Sequence, residues 1–156
     1  MKTRFVSTLV VLWTVAAAAA CSQTPADTLL GHWQVPEGDV IEIYKKQDRF
    51  FGRIAKLAQP VDEDGDLWRD WLNPDETLQG RLIVGIDLLL DLVYDPRKER
   101  WHEGRLYYPE DGKTYRCSLR LLDDGRLKLT VYFGLFRASE IWIRLPSDAA
   151  ASNENL

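Results

Sequence analysis

Apolar and polar side chains alternate along most of the chain beyond residue 30. The clearest case runs from Lys113: Tyr115, Cys117, Leu119 and Leu121 interleave with Thr114, Arg116, Ser118 and Arg120. The next run repeats it, with Leu127, Leu129, Val131 and Phe133 between Arg126, Lys128, Thr130 and Tyr132. Successive strand side chains point to opposite faces, so each run has one apolar face and one wet face. A slip of one residue would turn the apolar row to solvent, which specifies the register. The connectors Pro109-Glu110-Asp111-Gly112 and Asp124-Gly125 carry turn chemistry: Pro fixes φ, Asp tolerates the left-handed region and Gly accepts it freely. The stretch 101–133 therefore reads as an antiparallel meander.

The same criteria place strands at 31–35, 39–44, 49–57, 100–108 and 137–145. In 39–44, Ile41 and Ile43 share one face and Val40, Glu42 and Tyr44 the other. Segment 59–80 is a long polar loop rich in Asp, Pro and Trp, with room for a helical turn. Segment 82–94 is apolar nearly throughout, and periodicity alone leaves strand and helix open. The turn-like Tyr94-Asp95-Pro96-Arg97 after it favours strand. Short strands at this spacing, about eight in all, indicate an all-β sandwich or barrel. The folded domain is expected at 31–146, with a small, polar, frayed tail at 147–156.

Residues 1–20 stand apart. Lys2 and Arg4 precede an apolar run that ends in Ala18-Ala19-Ala20, the pattern of a secretory signal peptide. The strongly apolar part is shorter than the ~20 residues a membrane span needs. Ala18-Ala19-Ala20-Cys21 resembles a bacterial lipobox, with Ala18 where the usual Leu stands. The expectation is export to the periplasm and lipidation of Cys21, which would tether the domain to the outer membrane without embedding it. Residues 21–30 would then be a spacer, and plain cleavage to a soluble periplasmic product is the alternative. The other cysteine, Cys117, lies in an apolar strand row and reads as a buried thiol; a disulfide to Cys21 is the competing assignment.

Composition narrows the function classes. The net charge is −4 with both signs interspersed, and no basic stripe exists for nucleic acid. His32 and His102, the two histidines, have no His or Cys at ligand spacing, so no metal site and no cofactor is expected. Asp62-Glu63-Asp64-Gly65-Asp66 invites a calcium reading but fails the EF-hand template, with Asn73 at position twelve, and reads as a solvated acidic loop. No nucleophile elbow is present, and no catalytic residue is assigned.

Two resemblances then enter. Gly31-His32-Trp33 and Trp142-Ile143-Arg144 look like the G-x-W and late Arg of lipocalin-type (calycin) barrels. That resemblance implies an up-and-down barrel in which Arg144 covers Trp33 and closes one end. A wider resemblance rests on Val40-Ile41-Glu42-Ile43-Tyr44, Phe51-Gly52-Arg53-Ile54, Asn73-Pro74, Gly85, Gly104-Arg105 with Tyr107, Gly112-Lys113-Thr114-Tyr115 with Cys117, and Trp142 with Arg144. These are similar to the exported bacterial family called domain of unknown function 2147. Tyr108 stands where that family has Asp before Pro, and 136–140 departs from its Gly-Arg-Thr-like segment, which makes this a divergent member. The resemblance implies a lipocalin-like barrel and brings no activity.

Aromatic residues in the expected strands are the ligand-binding candidates: Tyr44, Phe50, Phe51, Trp101, Tyr107, Tyr115 and Phe133, with Trp142 beside them. An eight-stranded barrel is either filled by side chains or just wide enough for one small ligand. Trp68 and Trp71, in the polar loop, are candidates for a lid or a partner contact. The expected function is non-enzymatic binding of a small apolar or amphipathic molecule. The alternative is a filled barrel that meets an envelope protein partner through its loops.

Overall fold

The computed structural model describes residues 24–146. The signal segment 1–20, Cys21 and the tail 147–156 lie outside the described residues. Eight antiparallel strands follow one another around a closed barrel. They are β1 (Gly31–Gln34), β2 (Val40–Lys46), β3 (Arg49–Lys56), β4 (Asp87–Asp95), β5 (Arg100–Tyr108), β6 (Lys113–Leu121), β7 (Leu127–Phe133) and β8 (Phe136–Arg144). Each pairs with the next, and β1 pairs with β8 through Trp33↔Arg144 and Gln34↔Ile143. Closure removes both sheet edges.

The period-two rows turn inward as a set. Ile41, Ile43, Phe50, Ile54, Leu106, Cys117, Leu119, Leu127, Leu129, Val131 and Trp142 are all buried and form one core. Cys117 is a free, buried thiol, and burial pushes it up to about 12. The apolar stretch 82–94 resolves into β4 preceded by irregular backbone. Its strand breaks the alternation once: Asp91 has φ 60°, and the next strand does the same at Glu103, also φ 60°. Such bulges add the local twist that closes a sheet into a barrel.

The two ends differ. At one, a short 3₁₀ turn, Pro25–Leu29, packs under the barrel. Trp33 Nε1 donates to Leu29 O at 2.9 Å and Trp101 Nε1 to Ala26 O at 3.2 Å. Leu29 and Trp33 are fully buried there, so this end is sealed. The other end carries the β1–β2, β5–β6 and β7–β8 turns and the long segment 57–86.

That segment is held by polar contacts more than by a core of its own. Its two arms meet through Asp70 N→Arg81 O at 2.9 Å and Ile83 N→Trp68 O at 3.1 Å. A 3₁₀ turn, Glu76–Leu78, is capped by Asp75, whose side chain accepts from Thr77 N. Asp70 is fully buried beneath it. Its carboxylate accepts from Tyr107 Oη at 2.5 Å, Asn73 Nδ2 at 2.7 Å and Arg81 Nε at 3.1 Å. The β5–β6 turn fits against the same segment at Gly112, where a Cβ would stand 1.9 Å from Leu72 O and φ is +67°.

Candidate functional site

The long segment and the barrel mouth flank a half-open cavity of about 460 Å³. Pockets that take small molecules span about 300–1,000 Å³. Ile41, Ile54, Leu106, Leu129 and Trp142 form its floor from inside the barrel. Leu57, Trp68 and Ile83 from the segment lean over it. Trp68 remains 44% exposed, at the rim.

Glu140 is the unexpected member. On β8 the inward row is set by Trp142, and Glu140 lies two residues before it, opposite Leu129 of β7. A carboxylate thus faces the barrel interior. Trp142 Nε1 donates to its Oε1 at 2.9 Å. Burial holds its carboxyl above the usual carboxylate range, against the lowering effect of that hydrogen bond, and Glu37 nearby adds to the rise. The neighbouring Tyr108 phenol is raised too, by burial first and then by Glu110 and Glu140. Glu37, Asp39 and Glu110 stand around the rim, and the lining contains no Lys, Arg or His.

A larger and more open hollow of about 720 Å³ lies outside the barrel, between residues 73–87 and the outer face of β4–β6. Its polar groups are engaged: Asp87 accepts from Tyr44 Oη at 2.9 Å, and Arg81 pairs with Asp70 at 3.0 Å. The mouth, less open and lined by a carboxylate together with an apolar floor, is the better candidate.

The aromatic candidates separate by strand parity. Tyr44 and Phe51 are on the outer face, because Ile43 and Phe50 beside them take the inward positions. They stack with centroids 5.8 Å apart, and the Arg53 guanidinium sits 5.4 Å from the Tyr44 ring. They do not line the interior. Phe50 and Trp101 do face inward, edge to face at 6.3 Å, but at the sealed end. Tyr115 and Phe133 meet at 4.8 Å in the inward rows near the mouth, outside the cavity lining. Tyr107 alternates with Leu106 and turns outward beneath the long segment. Burial and the Asp70 carboxylate push its phenol up to about 12. It borders both hollows, with its hydroxyl already engaged.

Trp33 and Arg144 are brought together at the sealed end, with the guanidinium carbon 4.1 Å from the ring centroid. Trp71 is 64% exposed, its ring against Gly80, and does not reach the mouth. In the acidic loop, Asp62 Oδ1 accepts from Asp64 N at 3.0 Å and Asp66 N at 2.9 Å, a turn arrangement. Among the described residues no group of three or more His, Cys, Asp or Glu could hold a metal ion.

With this geometry the likenesses to known proteins can be weighed. A family model described as "Uncharacterized protein conserved in bacteria (DUF2147)" matches residues 31–144. Among solved structures, protein HP1028 of Helicobacter pylori, described as belonging to the lipocalin family, is similar. The TM-score is 0.66 at 25% identity, over 79% of this chain and 86% of that one. No curated protein matches this chain.

Proposed function

The chain belongs to the family of uncharacterized bacterial proteins DUF2147, and from that premise we propose that it is an exported, non-enzymatic binding protein of the cell envelope. Its barrel mouth holds one small amphipathic molecule. The observation that carries this reading is the half-open cavity of about 460 Å³ at the barrel mouth, apolar in its floor and marked by a single inward carboxylate. The lipocalin description of the Helicobacter pylori protein supports it at the level of fold. Export rests on the apolar leader 1–20, and tethering to the outer membrane rests on lipidation of Cys21.

A neutral fluorescent probe such as N-phenyl-1-naphthylamine tests the site. Probe emission should rise on binding, and Leu129→Trp, which puts a larger side chain on the cavity floor, should abolish the rise while the barrel still melts cooperatively. Equal emission in both proteins would place the probe elsewhere and remove the reading.

A second reading is favoured by one observation. Trp71 and Leu72 are 64% and 58% exposed on the long segment, and Leu135 and Phe136 on the β7–β8 turn are exposed as well. In that reading the loops contact an envelope protein, with Trp71 as the anchor and Trp68 beside it. Loss of a cross-linked envelope partner on Trp71→Ser, with probe binding intact, would support it; an unchanged cross-linking pattern would sink it.

A further inference from the structure

Resting on the reading that the mouth cavity is a binding site, we propose that its ligand carries a positive charge: an amine or quaternary ammonium head on an apolar body, with Glu140 as the counter-ion.

Inward positions of a barrel strand are apolar unless something polar is needed there. Glu140 takes such a position, between Trp142 in its own strand and Leu129 across from it. One of its oxygens accepts from Trp142 Nε1. The other has no protein donor among the described residues. That oxygen is not fully buried, and a ligand cation that displaces its solvent supplies a counter-charge beside the apolar floor.

The surroundings favour the same sign. Several carboxylates away from the mouth have cationic partners, such as Asp27 with Lys45 at 2.9 Å, Glu42 with Arg53 at 2.8 Å and Asp124 with Arg126 at 2.7 Å. At the mouth they do not. Glu140 has Glu37, Asp39 and Glu110 around it, and no Lys, Arg or His lines the cavity. Asp39 is engaged by Ala58 N at 2.8 Å, which leaves the field at the opening negative. An anionic ligand such as a fatty acid would meet this field unscreened. Trp142, Trp68 and Tyr108 line the same space, which puts aromatic rings within the cavity wall where an ammonium group would sit. The apolar floor takes the hydrocarbon part.

The test compares three probes with one chain and three heads: octylamine, octanol and octanoate, titrated calorimetrically into the whole mature protein at neutral pH. Octylamine should bind about tenfold or more tightly than octanol, and octanoate most weakly. Glu140→Gln keeps the size and the acceptor for Trp142. It should bring octylamine to the octanol level and leave octanol unchanged. Glu63→Gln, an exposed acid outside the lining, should change nothing. Equal binding of octylamine and octanol, or a preference that survives Glu140→Gln, would overturn the cationic assignment and leave the cavity reading intact. Failure of all three probes to bind would overturn both.

Discussion

The Arg144 guanidinium covers the Trp33 indole, 4.1 Å from its centroid, and joins the last strand to the first. The same group donates to Leu30 O at 2.8 Å and to Thr28 O, which fastens the 3₁₀ turn under the barrel. One side chain thus closes the sheet, caps the Trp and holds the plug. Arg144→Ala should destabilise the fold by about 1–3 kcal/mol, from lost cation–π attraction and two lost hydrogen bonds to carbonyls that solvent can partly satisfy. Arg144→Lys should recover only part, because an ammonium cannot lie flat on the ring and reach both oxygens. Urea denaturation of the three proteins measures this.

Asp70 fixes the long segment to the outside of β5. Its carboxylate is fully buried and takes donors from Tyr107, Asn73 and Arg81. Tyr107→Phe should cost about 1–2 kcal/mol through one lost buried hydrogen bond. Asp70→Asn should cost about 2–4 kcal/mol, because it also leaves Arg81, itself partly exposed, without its partner. Both should make 57–86 the first site of limited proteolysis, with the barrel cut later. Cleavage in the same order and at the same rate as wild type would show that other contacts hold the segment.

Gly104 lies where Leu92 crosses the barrel. A Cβ there would stand 2.3 Å from Leu92 Cδ2 and 3.0 Å from Cys117 Sγ. Gly104→Ala should therefore destabilise by about 1–3 kcal/mol through overpacking. The double variant with Leu92→Ala should lose less than the sum of the two single losses, because the shortened side chain relieves the clash, and thermal melts of the singles and the double would show it.

Glu140 makes stability pH-dependent in a direction opposite to most carboxylates. Its folded pKa is raised by burial from the ordinary 4.5. The fold therefore prefers the protonated form. That preference is fully present below the ordinary value and is lost as pH rises through the raised folded value. Glu140→Gln should melt with wild type below pH 4.5 and above it at neutral pH. Melting curves across that range decide; a variant less stable at neutral pH would mean that the charged carboxylate supports the fold.

The strands were legible because each alternating row faces one core, so period two identifies both the element and its inner face. Adjacent rings cannot share that face. Of Phe50 and Phe51 only one can point inward, and residue type alone does not say which; Phe50 does. The shifts at Asp91 and Glu103 are invisible to a two-residue period, since a bulge resets the parity without a composition signal. Asp70 carries no signal that separates it from other loop acids, because its partner Tyr107 is 37 residues away. Glu140 did carry a local signal. It lies two residues before Trp142, so any strand that buries Trp142 turns Glu140 inward too.

Native mass spectrometry of the protein purified from its own host's envelope, without denaturant, tests whether the mouth of this barrel is occupied. A reproducible excess mass should be found that leaves on unfolding and is absent from Leu129→Trp. A bare protein mass that no member of the octyl series shifts would contradict occupancy.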